Sequence, residues 1–190
     1  MANTFKSFTA NATTSATTVY TCPAATQTTA IGLSVANTYT ASLSVNATLV
    51  KANGVSTGTL AGGAGYTNGT YTNVPLTGGN GVSAIANITV AGNAVTVVTI
   101  VWAGSGYKVG DVLSASTSII GAGSSFTYTI TAVANKTTYL TYQDPVPQGG
   151  TLVIIGGDQK VVLQPTDYIQ VTVVTTSGTA DVILSVLEIA

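Results

Sequence analysis

Ile85-Ala86-Asn87-Ile88-Thr89-Val90 and Val95-Thr96-Val97-Val98-Thr99-Ile100-Val101-Trp102, joined through Ala91-Gly92-Asn93, form the stretch that decides the fold class. Both runs are rich in β-branched residues, which suit a pleated surface, and neither has a helical period. A Gly-Asn turn between two such runs reads as a β-hairpin. Outward from this hairpin, runs of the same kind recur at 17–20, 29–36, 41–51, 126–133, 137–142, 151–155, 160–163, 168–174 and 181–189, many separated by short Gly- or Asn-bearing turns. Many short strands at this spacing predict an all-β chain of sandwiches or small barrels.

Composition narrows the function classes. The 190 residues include no His, and the five basic residues are all lysines: Lys6, Lys51, Lys108, Lys136 and Lys160. Without imidazole the usual general base near neutral pH is missing, together with the commonest metal ligand. Without guanidinium there is no bidentate clamp for phosphate or carboxylate. The chain is therefore expected to be no enzyme and to need no cofactor or metal. Charged residues make up 6% of it, against roughly 25% in an ordinary soluble domain. So sparse a charge favours association, and the expected partner is the chain itself, in a symmetric oligomer such as a trimer. A net charge of −1 favours neither nucleic acid nor an anionic membrane. The apolar run around 95–103 is interrupted by Thr96 and Thr99 and falls short of the ~20 residues that span a bilayer. The opening Met1 to Lys6 lacks the apolar block of a signal peptide, and one cysteine, Cys22, permits no internal disulfide; both predict synthesis in a cytoplasm.

Gly is dense between about 54 and 133, and the flanks differ from this middle and read as belonging together. Asn53-Gly54 is a tight-turn dipeptide, and splicing it to 136–140 yields a plausible hairpin. The expectation is an outer β-sandwich, jelly-roll-like, formed by 1–53 plus 135–190, with a small β domain, 54–134, inserted at a hairpin tip. The insert is itself duplicated. Gly63-Ala64-Gly65-Tyr66 matches Gly104-Ser105-Gly106-Tyr107, and Gly78-Gly79-Asn80-Gly81 matches Gly121-Ala122-Gly123. Two similar halves suggest a pseudo-twofold unit with the tyrosines packed over glycines or across the halves. Exposed instead, Tyr66 and Tyr107 would be candidate contacts for a glycan or a partner.

The flanks resemble small virion structural proteins of tailed bacteriophages, especially those of marine cyanobacteria. The residues that carry the resemblance are 28–38, 144–163 and the ending 181–189. The Gly-x-Gly-Tyr insert resembles a β module of phage structural and fibre proteins. The resemblance implies a virion part, made in the host cytoplasm and contacting other virion proteins: a capsid decoration or cement protein, or a neck or tail accessory, packed by its outer domain and projecting its insert. The alternative is a carbohydrate-binding module of a fibre or surface adhesin, with a host surface glycan as partner.

Other local patterns read as structure. Gly156-Gly157-Asp158-Gln159-Lys160 lacks the helix a phosphate loop needs and reads as a hairpin turn, with Asp158 capping turn amides or pairing with Lys160. Gly104-Ser105-Gly106-Tyr107 is followed by a β pattern and is no dinucleotide fingerprint. Asp144, Asp158 and Asp167 are scattered acids that only a fold could converge on Ca²⁺. Cys22 reads as a small buried residue.

Overall fold

A computed structural model describes residues 3–189. The chain divides into two compact units, 1–51 with 136–190, and 52–135; the sequence reading drew these cuts at 53/54 and 134/135.

The first unit is a sandwich of two antiparallel sheets. One has the order β1 (Asn3–Ala12), β13 (Ala180–Ile189), β3 (Gln27–Asn37), β10 (Thr151–Ile155), with the short β11 (Val161–Leu163) also on β3. The other has the order β2 (Thr17–Thr21), β12 (Tyr168–Val173), β4 (Leu43–Ala61), β9 (Thr127–Val146). Counting these strands along the chain and leaving out β11, the sheets read first-eighth-third-sixth and second-seventh-fourth-fifth. That is the double Greek key of a jelly roll, so the expected outer fold is found. Alternation along the strands builds the core. Leu33 and Val35 of β3, Val45 and Ala47 of β4, Ile169 and Val171 of β12, and Val182, Leu184 and Val186 of β13 point inward at nearly zero exposure.

In the second unit, β4 and β9 continue into the order β8 (Val112–Ala115), β5 (Gly69–Gly78), β6 (Ile85–Ala91), β7 (Ala94–Trp102), with a single helical turn α1 (Thr117–Ile120). The β6–β7 hairpin turns at Gly92 and Asn93 with φ of 62° and 63°, the two positive values of a type I′ turn. Val55 N–H bonds the Ala103 carbonyl at 2.8 Å, and Val95 N–H bonds that of Gly62 at 2.9 Å. These bonds curl the sheet so that its first and last strands meet around a core of Val74, Ile88, Leu113, Phe126 and Ile130.

Asn53-Gly54 is not a hairpin tip. Strand β4 runs through it without turning, and the runs expected at 126–133 and 137–142 are one strand, β9. A type I′ turn needs φ > 0 at both residues; here Asn53 has φ 53° and Gly54 is not left-handed. The glycine answers a different need. A Cβ at position 54 would stand 2.8 Å from that of Ala103, so the missing side chain permits a close approach.

Candidate functional site

The Gly-x-Gly-Tyr repeats were the first sequence candidates, and their geometry assigns them a structural role. Gly63 and Gly65 have φ of 66° and 80°; Gly104 and Gly106 have 62° and 78°. Ala64 bridges to Ser124, and Ser105 to Val82. The Tyr66 ring covers Gly123, and its Oη accepts the Phe126 N–H at 3.2 Å. The Tyr107 ring covers Gly81, and its Oη accepts the Ala84 N–H, also at 3.2 Å. Each copy therefore lends its tyrosine to the Gly-rich turn of the other. The main chain repeats the exchange: Tyr66 N–H bonds the Asn93 carbonyl and Tyr107 N–H that of Asn53, both at 3.0 Å. The rings are 2% and 1% exposed. The reading of Tyr66 and Tyr107 as glycan or partner contacts is thereby corrected, because neither ring offers a face to solvent. Burial raises the Tyr107 phenol above its ordinary pKa. Asp111 is a third fixture of this unit. Burial disfavours its charge, but the Asn80 and Lys108 N–H groups and the Asn80 amide outweigh that and hold its pKa low.

The ionisable groups of the first unit gather at two places. Lys6 Nζ lies 2.6 Å from Glu188 Oε2, joining β1 to β13. The other oxygen, Oε1, accepts the Tyr20 hydroxyl at 2.8 Å; Tyr20 Oη also lies 2.8 Å from Thr28 Oγ1, which is 3.3 Å from Cys22 Sγ. These groups line or back an open groove of about 420 Å³ between β1 and β2, whose other walls are Phe8, Thr18, Val19, Thr21 and Pro23. Close to Cys22, Lys51 pairs with the wholly buried Asp167 at 2.5 Å.

The chemistry open to this cluster is limited. Burial, with the Glu188 charge beside it, pushes the Tyr20 phenol far above its ordinary value. Burial likewise raises the Cys22 thiol, so both stay protonated and neither is a nucleophile near neutral pH. The Lys6 ammonium holds Glu188 below the usual carboxylate range, aided by Tyr20 and against the cost of burial. A carboxylate so held neither donates nor accepts a proton readily at neutral pH. The arrangement ties the terminal strands together. Its members stand at opposite ends of the chain, so no local motif announces it.

The remaining candidates resolve simply. Gln159 N–H returns to the Gly156 carbonyl at 3.2 Å, closing a turn with Gly157 at φ 57°. Lys160 bonds the Gly157 and Gln159 carbonyls, not Asp158. Asp144 takes the Thr141 hydroxyl and Asp167 takes Lys51, and no group of three metal-ligating side chains exists among the described residues.

What stands open is an edge. Strand β1 ends its sheet and pairs with β13 over ten residues without a break in register. It contains no Pro or Gly, and Asn3 to Ser7 are exposed on both faces, Phe5 at 72%. Natural edges are usually blunted by prolines, bulges, short length or charged side chains; of these β1 has only one charge, Lys6, and Glu188 pairs it. No protein-family model, curated protein or solved structure matches this chain.

Proposed function

We propose that this protein is a structural subunit that assembles through the jelly-roll unit, and that the assembly is a tailed-phage virion in which it serves as an exterior decoration or as a neck or tail accessory. The long, unbroken edge of β1 carries the assembly reading. A ten-residue edge with unpaired N–H and C=O groups is a template for another strand, and a surface with few charges does little to repel one. The virion reading rests on the resemblance of the flanks, and the jelly roll agrees with it as an architecture common to capsid proteins and lectins. That agreement is analogy at the level of fold.

Light scattering behind size exclusion tests the assembly reading. The full chain is expected as a defined oligomer at about 10–100 µM, a range typical of specific association. The double variant Phe5→Lys/Thr9→Lys, which puts charge on the outer face of β1, is expected to be monomeric. A wild-type monomer throughout, or an oligomer indifferent to the variant, rejects β1 as the contact. Mass spectrometry of purified phage particles tests the virion reading separately; absence of the chain from intact particles ends it.

A further inference from the structure

Strand β9 carries an aromatic pair that no part of the fold explains. Tyr139 and Tyr142 are 54% and 61% exposed, yet their rings meet edge to face with centroids 4.9 Å apart. Singly exposed apolar residues are ordinary, but two large rings in contact make a contiguous exposed patch, and such patches mark interaction sites. The backbone beside them is held in an unusual state. Gln143 has φ 51°, a left-handed conformation that a non-glycine residue adopts at a cost and that is enriched at functional sites. Its N–H is secured by Asn46 Oδ1 at 2.7 Å, and its side-chain Nε2 donates to Tyr142 Oη at 3.3 Å. Next along the strand, Asp144 is braced by the Thr141 hydroxyl at 2.8 Å. Asn46 pairs with Thr172 of β12, and Thr48 with Gln170. The surface bordering the pair is thus built of amides and hydroxyls.

We propose that Tyr139 and Tyr142 form a stacking platform for a neutral saccharide, with the Gln143 and Asn46 amides and the Asp144 carboxylate as its polar contacts. A sugar ring presents C–H bonds on one face, slightly positive, which suit the negative face of an aromatic ring. Its hydroxyls both donate and accept, matching carboxamides and a carboxylate that bond each partner in fixed directions. The charge pattern selects against other ligands. Nucleic acid could stack on the rings, but its phosphates need cations, and the charged group braced beside Tyr142 is the Asp144 carboxylate. A second protein is the remaining occupant, since tyrosine is common at interface centres. The braced polar groups directly beside the rings favour the saccharide, because a protein interface would surround a central aromatic pair with apolar core and keep its polar groups at the rim. The proposal is independent of assembly through β1, because these residues lie on a different strand.

Saturation-transfer NMR of the full chain with maltoheptaose, cellohexaose, chitotetraose and mannotriose as probes tests it. At least one probe is expected to receive saturation from aromatic protons. Tyr139→Ala and Tyr142→Ala should each weaken that binding about two- to tenfold, the range of a single aromatic contact, and Tyr142→Trp should keep it. Both positions are exposed, so unchanged thermal midpoints are expected and will show that folding is intact. No transfer to any probe, or binding unaffected by both alanine variants, overturns the proposal. So does a change of oligomeric state in Tyr142→Ala, which assigns the pair to a protein interface. Failure here leaves the β1 result untouched.

Discussion

Gly81→Ala tests one half of the reciprocal tyrosine exchange. Gly81 is not left-handed, so alanine suits its backbone and the added methyl acts by volume alone. That methyl would stand within 2.5 Å of Cγ, Cδ1 and Cδ2 of Tyr107, where carbon atoms prefer about 3.5–4.0 Å. An overlap of about 1 Å must be relieved by moving the ring or the turn. The ring is 1% exposed and tied through Oη to the Ala84 N–H. Overpacking costs typically about 1–3 kcal/mol, and a clash with three ring atoms of a tethered side chain belongs at the upper end. With a urea slope of about 1.5 kcal/mol/M, a loss of about 3 kcal/mol lowers the unfolding midpoint by about 2 M. The single tryptophan, Trp102, lies in this unit, so its fluorescence reports the transition beside far-UV circular dichroism. Gly123→Ala, which meets Cγ, Cδ1 and Cδ2 of Tyr66 within 2.5 Å, should behave alike if the two halves are equivalent. Gly92→Ala is the control: its φ is 62° but nothing lies within 4 Å, so only the left-handed cost of about 1–2 kcal/mol applies. A Gly81→Ala midpoint within about 0.3 M of wild type, or full additivity with Tyr107→Ala in a double-mutant cycle, would refute the packing argument.

Two further outcomes concern the first unit. Glu188 has a lowered folded pKa, so its contribution is present above the unfolded value and is lost as pH falls through the folded one; stability should drop between about pH 5 and pH 2, and Glu188→Gln should flatten that drop while costing about 1–3 kcal/mol at pH 7, read by urea titration at each pH. Lys51→Met leaves the fully buried Asp167 without its cation and should cost about 3–5 kcal/mol, with Lys51→Met/Asp167→Asn recovering a good part; a Lys51→Met protein as stable as wild type would show that the pair contributes nothing net.

Some of this architecture was legible locally. The β6–β7 hairpin was, because Gly92-Asn93 carries its turn chemistry in two adjacent residues. The all-β class was, because β-branched runs and glycine turns are local preferences. The duplication of Gly-x-Gly-Tyr was visible too, and so was the option that tyrosine covers glycine. Asn53-Gly54 misled, because the same dipeptide can serve a turn or a close approach, and only the neighbour at Ala103 distinguishes them. The Lys6–Glu188–Tyr20 cluster was invisible, since its members are joined by strand pairing across nearly the whole chain.

By itself, the sequence determined the secondary-structure class and the shortage of ionisable chemistry, since both are sums over residues and need no neighbours. Tertiary structure alone decided which aromatic rings meet water. Tyr66 and Tyr107 stand in conspicuous motifs and are buried, because each fills the side-chain-free space above a glycine in the opposite repeat. Tyr139 and Tyr142 stand in an unremarkable strand and are exposed in mutual contact. Periodicity assigns a residue to a face, but burial depends on what the fold lays over that face. The open edge of β1 follows the same logic: a strand becomes an edge when, among the described residues, only one other strand pairs with it.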